Sequence, residues 1–145
     1  MTYLLDVNVL IALVDPAHVS HDAAHDWFDA EGARAWATCP ITENGVLRIL
    51  GNPKYPNSPG SPAAAAPILH RLRGLPGHTF WSDEISIVGS RLVDPQKIAT
   101  PAQVTDVYLL ALAAAKGGRL ATFDRRIATK AVRNGQDALA VIGAP

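Results

Sequence analysis

One cysteine, Cys39, stands in 145 residues, so neither an intrachain disulfide nor a cysteine-based zinc cluster can form. Disulfide-stapled secreted scaffolds are excluded, and a reducing compartment is expected. Aromatic residues are scarce at 6%, and thirteen Lys and Arg cancel thirteen Asp and Glu. No general attraction to polyanions can therefore be read from the total charge. The apolar start MTYLLDVNVLIALVD lacks a basic leader and is broken by Asp6 and Asn8, so neither a signal peptide nor a membrane span is expected. The expectation is a soluble cytoplasmic protein without a membrane partner. No G-x-G-x-x-G or Walker A pattern occurs, which argues against a nucleotide cofactor. No internal repeat or low-complexity tract stands out either. What remains is a chain with 48% hydrophobic residues, sized for one core and one domain over residues 1–145. Its charge is uneven: residues 1–31 hold six acids and no Lys or Arg, whereas residues 107–136 hold six bases and one acid.

The periodicity alternates. Tyr3, Leu4 and Leu5 form a short apolar run, and Val9, Leu10, Leu13 and Val14 follow at helical spacing, so a strand pivots into a helix at Asp6. A helix capped by Ser20, a strand over 35–39 and a helix opened by Pro40 come next. Residues 51–60, with three prolines and two glycines, read as a loop, long enough to suggest a mobile flap that helps select substrate. Ser61 and Pro62 start another helix, a strand follows near Thr79, and Thr100 with Gln103 makes a capping box for a helix ending at Gly117. A strand over 120–123, a helix over 125–132 and a last strand over 139–142 complete the order. Residues 82–99 fit more than one pattern and carry no motif. Alternating strands and helices predict an α/β fold, a three-layer α/β/α sandwich around a mostly parallel sheet of four to five strands.

Four carboxylates occupy telling places. Asp6 and Asp124 each follow a short apolar strand, at the carboxyl edge where open α/β sheets bind ligands, although either also suits a helix N-cap. Glu43 leads Val46, Leu47 and Leu50, and Asp106 leads Leu109, Leu110 and Ala113, so both are expected on the core side of their helices. Buried acids need a cation, a hydrogen-bond network or a rim position. If the four converge, an all-oxygen site suits Mg²⁺ or Mn²⁺, which can activate a water and stabilise a leaving oxygen at phosphorus. Arg119, Arg125, Arg126 and Lys130 then offer RNA-binding phosphate contacts, their plainer reading being a solvated helix face.

The segments LLDVNVLIAL, TENGVLRIL, TDVYLLALA and GGRLATFDRRI, in this order, resemble a PIN-domain ribonuclease of the VapC toxin class. The resemblance spans nearly the whole chain. It implies a PIN-like fold and a metal-dependent endoribonuclease that cuts structured RNA, with tRNA or rRNA as the expected substrate. It also implies a homodimer and a cognate VapB-like antitoxin that plugs the acidic site. Carried over residue by residue, Asp6, Glu43, Asp106 and Asp124 match the acidic quartet, with Asp6, Asp106 and Asp124 as metal ligands. Glu43 matches a position that holds a second metal or orients the attacking water, and Asn8 and Thr122 match the small polar positions that support the acids.

His21 and His25 have the H-x-x-x-H spacing of a zinc helix, but with no third ligand pattern they are expected, with His18, on a polar helix face or a subunit contact. Cys39 beside Pro40 reads as a small buried hydrophobe. Two rivals to the ribonuclease stand: a non-catalytic RNA- or protein-binding module whose acids serve only electrostatics, and a DNA-directed nuclease.

Overall fold

The computed structural model describes residues 1–143. Five short strands, β1 (Tyr3–Leu5), β2 (Trp36–Thr38), β3 (His78–Phe80), β4 (Arg119–Thr122) and β5 (Leu139–Val141), form one sheet in the order β3-β2-β1-β4-β5. Every pairing is parallel. The chain winds outward from β1 to β3, then returns to β1's other side with β4. The order therefore reverses beside β1, which makes the carboxyl ends of β1 and β4 the expected ligand crevice.

Five helices cover the sheet: α1 (Val7–Val14), α2 (His21–Ala30), α3 (Pro40–Leu50), α4 (Pro62–Arg73) and α5 (Val104–Ala115). Strand alternation divides the core between the two faces. Tyr3, Leu5, Trp36 and Ala121 pack with residues of α1 to α4. Leu4, Ala37 and Leu120 point the other way, against α5. Helix α5 is apolar all round and is buried from Val107 through Ala113, as such a helix must be. Its outer side is covered by the stretch the periodicity left unread, where Ile85, Ile87, Leu92 and Ile98 pack on it.

Three expectations are corrected. Residues 125–132 do not form a helix. The Asp124 carboxylate accepts the Arg126 N–H at 2.8 Å, the bond an N-cap makes, but no helix follows it, and Val132 is extended in an isolated antiparallel bridge with Val93. A single 3-10 turn, Thr129–Ala131, remains. Loop 51–60 is tied down rather than loose. The Tyr55 hydroxyl and the Asn57 amide both donate to the Asp15 carboxylate, the latter at 2.6 Å, and the Ser58 hydroxyl donates to the Leu50 carbonyl at 2.7 Å. Nor does the loop's anchor border the Asp6 crevice, because Asp15 caps the far end of α1, about 12 Å along the helix by its rise per residue.

Burial alone would raise the Asp15 carboxyl, but hydrogen bonds from Asn57, Tyr55 and the Ala17 N–H outweigh it and hold the group below the ordinary carboxylate range. A carboxylate depressed in the folded state stabilises above its unfolded value and loses that contribution as pH falls through the folded one. We expect Asp15→Ala to cost about 1–3 kcal/mol at neutral pH, since it strands the Tyr55 and Asn57 donors. The deficit should shrink toward pH 3. Urea unfolding at the two pH values checks both; a deficit that does not depend on pH would remove the carboxylate from the account.

Candidate active site

Asp6 is 7% exposed and directly follows β1. One oxygen accepts the Val7 N–H at 2.8 Å, as a helix N-cap does, and the other accepts the Thr122 hydroxyl at 2.8 Å. Thr122, fully buried at the end of β4, also accepts the Asn8 amide at 3.1 Å and the Asp124 N–H at 3.1 Å. A hydroxyl has one donor and two acceptor sites, so Thr122 is saturated. Asn8 closes the ring by accepting the Phe123 N–H at 3.3 Å. Two chain segments, residues 6–8 and 122–124, are thereby locked around one carboxylate.

Burial, opposed by the bonds from Thr122 and Val7 and reinforced by the charge of Asp124, pushes the Asp6 carboxyl above its usual value. Asp106, in the first turn of α5, is pushed up to about 6 by burial and then by the charges of Asp6 and Asp124. The structure thus brings Asp6, Asp106 and Asp124 into one electrostatic neighbourhood. Among the described residues neither Asp6 nor Asp106 has a salt-bridge partner, and no three acids are close enough to share one ion directly. All-oxygen donors, two of them held up by burial and mutual repulsion, fit a hard divalent cation, and Mg²⁺ is ordinarily held by only one or two carboxylates plus waters. Asp6, Asp106 and Asp124 are the residues that could hold one.

Glu43 is separated from that trio. Glu43 and Asp106 stand on helices that cover opposite faces of the sheet. Thr38 ends β2 with its side chain on the α3 face, whereas α5 lies across the sheet. Thr38 donates to one Glu43 oxygen at 2.6 Å, and Arg73 of α4 pairs with the other at 3.3 Å. Because the single Thr38 proton goes to Glu43, His78 Nε2, 2.8 Å from the same hydroxyl, must be the donor to it. Burial, then the charge of Arg73, lowers the His78 pKa, with Glu43 opposing. Sequence reasoning missed Thr38, His78 and Arg73. Thr38 had a readable signal, being strand-terminal like Thr122 and five residues before an acid; Arg73 had none, since thirty residues separate it from its partner.

The four bases part company. Arg125 and Arg126 line a shallow hollow with Asn8, Phe123 and Asp124. Arg126, its side chain 92% exposed, approaches Asp124 at 3.5 Å, and Arg125 donates to the Gly143 carbonyl at 3.0 Å. Arg119 opens β4 beside Tyr3, at the sheet edge opposite Asp6, so its grouping with the other bases is corrected by the strand's direction. Lys130 lines a different hollow with Asn134 and Gly135. The histidines are structural. His21 Nδ1 and His25 Nε2 each lie 2.7 Å from a carbonyl at the end of α1, Ala12 and Leu13 respectively, supplying donors that the helix terminus lacks. Cys39 is fully buried, and burial pushes its thiol up.

A model of the PIN domain matches residues 3–132. The chain belongs to the PIN-domain family. Within it, the chain is of the VapC type. It is 48% identical over 132 residues to Ribonuclease VapC44 of Mycobacterium tuberculosis, covering 91% of this chain and 92% of that protein. It is 46% identical over 131 residues to Ribonuclease VapC39 of the same organism, covering 90% and 94%. The expected PIN fold is present, with all five strands parallel. Among the described residues of this PIN domain, no helix is long and apolar enough to cross a membrane.

Proposed function

We propose that this PIN domain is the toxin of a VapB–VapC pair, a Mg²⁺- or Mn²⁺-dependent endoribonuclease that hydrolyses structured RNA, tRNA or rRNA. One observation carries the reading: in a chain 48% identical to a VapC ribonuclease, buried Asp6 and half-buried Asp106, neither with a salt-bridge partner among the described residues, share the field of Asp124 at the switch point of a parallel sheet. Asp6 and Asp106, with Asp124, would hold a divalent cation, which would supply an activated water and neutralise charge on the phosphate oxygens. The chain's own residues do the positioning. Thr122 and Asn8 fix Asp6 and the segment carrying Asp124, so the acids need little rearrangement to work. Arg125 and Arg126 face the same hollow and take the RNA backbone. Glu43 stands apart from that trio with its two oxygens engaged by Thr38 and Arg73, so its part is to hold Arg73 in place rather than to bind a second metal. A VapB-type antitoxin with a basic side chain fits the acidic crevice, and we assign the working state to a homodimer.

The test is end-mapped cleavage of total RNA by the free protein with Mg²⁺ or Mn²⁺, controlled by EDTA and Asp6→Ala, and repeated on matched RNA and DNA hairpins. Discrete metal-dependent cuts in RNA that vanish in the variant are expected. Folded, antitoxin-free protein that binds RNA without cutting it would instead make this chain a binding module, and equal cutting of the DNA hairpin a general nuclease.

A further inference from the structure

Phe80 ends the edge strand β3, paired in register with Thr38, and is 45% exposed. Among the described residues six large hydrophobic side chains are this open, and Phe80 is the aromatic one. Its ring is not merely left over from the core. By strand alternation it lies on the same face as His78 and Thr38, and the Arg73 guanidinium sits over it, 5.4 Å from the ring centroid. Arg73 is itself held by Glu43, and Glu43 by Thr38. A continuous chain of contacts therefore runs from the carboxyl edge of β2 to an exposed, flat, cation-flanked surface. That surface lies two strand spacings from the strand bearing Asp6, about 10 Å. Of the bases in the last turn of α4, His70 and Arg73 line one hollow with Glu43, whereas Arg71 lines another with Ile68 and Leu75.

We propose that Phe80, with Arg73 over its ring, is the stacking platform for an unpaired base of the RNA beside the cleaved phosphodiester. This rests on the ribonuclease reading above and adds the residue that selects the substrate's local shape. The chemistry fits a nucleobase better than a protein partner. Aromatic rings and guanidinium planes stack on any base, and nearby cations hold the backbone that follows it. Protein docking faces instead need contiguous apolar area, and the apolar hollow of Leu47, Ala63, Ala66 and Pro67 on the far side of Arg73 does not include Phe80. The platform is also organised before the RNA arrives, because both oxygens of Glu43 are bonded and the guanidinium cannot swing freely.

Steady-state cleavage of a mapped substrate RNA by the wild type, Phe80→Ala and Phe80→Trp tests it, together with RNAs made abasic at single positions flanking the cut. Loss of stacking is expected to raise KM roughly tenfold in Phe80→Ala with little change in kcat, and Phe80→Trp should restore it. On the RNA abasic at the stacked position, wild type and Phe80→Ala should become equal. An unchanged KM overturns the proposal, as does a deficit that persists on every abasic RNA or loss of antitoxin binding alone. A wild type that cuts no RNA overturns the ribonuclease reading and this one with it; a wild type that cuts while Phe80→Ala matches it overturns only this one. Thermal melting of Phe80→Ala near the wild-type temperature shows that the exposed ring is not a folding element.

Discussion

Asp106→Asn is expected to lower metal-dependent RNA cleavage by at least about a hundredfold while leaving the metal-free protein as stable as the wild type or more so. The activity estimate is a lower bound, because losing a partner that only supports a metal ligand already costs about 10–100-fold. The stability half follows from linkage. Burial, then the charges of Asp6 and Asp124, pushes the Asp106 carboxyl up to about 6. The folded protein therefore holds a proton there more readily than the unfolded chain, whose carboxylates titrate near about 4. Between those values stability falls as pH rises, the opposite of the Asp15 case. Asparagine carries no such charge and avoids the loss. Thermal melts in EDTA at pH 5 and pH 7.5 should show the wild type losing ground to Asp106→Asn at the higher pH. Adding Mg²⁺ or Mn²⁺ should then stabilise the wild type, by about 2.7 kcal/mol at a hundredfold excess over Kd, and the variant far less. Equal stabilisation of both proteins would remove Asp106 from the metal site.

Such a trade of stability for function explains why some of the site was legible and some was not. A carboxylate after a short apolar strand, or at the head of an apolar helical stripe, breaks the local pattern, and Asp6, Asp106 and Asp124 could be picked out on that ground alone. The strands around them were equally plain, since β1 and β4 are apolar runs ended by polar residues. Which face of the sheet each acid occupies was hidden. It depends on strand register and alternation, and these put Thr38 and Glu43 across the sheet from α5. The pairing of Glu43 with Arg73 was out of reach for a related reason, because α4 is brought to α3 by packing and not by any spacing in the chain. Residues 82–99 resisted reading because Ile85, Ile87, Leu92 and Ile98 cover an already buried helix from an irregular backbone, which imposes no period. No helix is needed after Asp124, since apolar Ile127, Ala131 and Val132 are buried without one and Val132 bridges to Val93.

Thr122→Val should be the most damaging change that removes no charge. Valine matches threonine in shape but strands three polar groups at once: the Asp6 oxygen that received the hydroxyl, the Asn8 amide and the Asp124 N–H. Thr122 is fully buried and Asp6 only 7% exposed, so solvent reaches the Asp6 oxygen poorly, whereas Asn8 and Asp124 border the open hollow. Leaving buried partners unpaired costs about 1–3 kcal/mol, and we expect a loss of stability in that range. The larger effect falls on Asp6. Without the donor that opposes its burial, the carboxyl rises further, and both its orientation and its readiness to meet a cation suffer. Cleavage should fall by roughly 10–100-fold, the usual cost of losing an outer-shell partner of a ligand. Thr122→Ser separates the two effects, because it keeps the oxygen and drops only the methyl group. Activity near wild type in Thr122→Ser beside a deep loss in Thr122→Val assigns the effect to the hydrogen bonds. Equal losses in both variants would assign it to packing at the end of β4 instead.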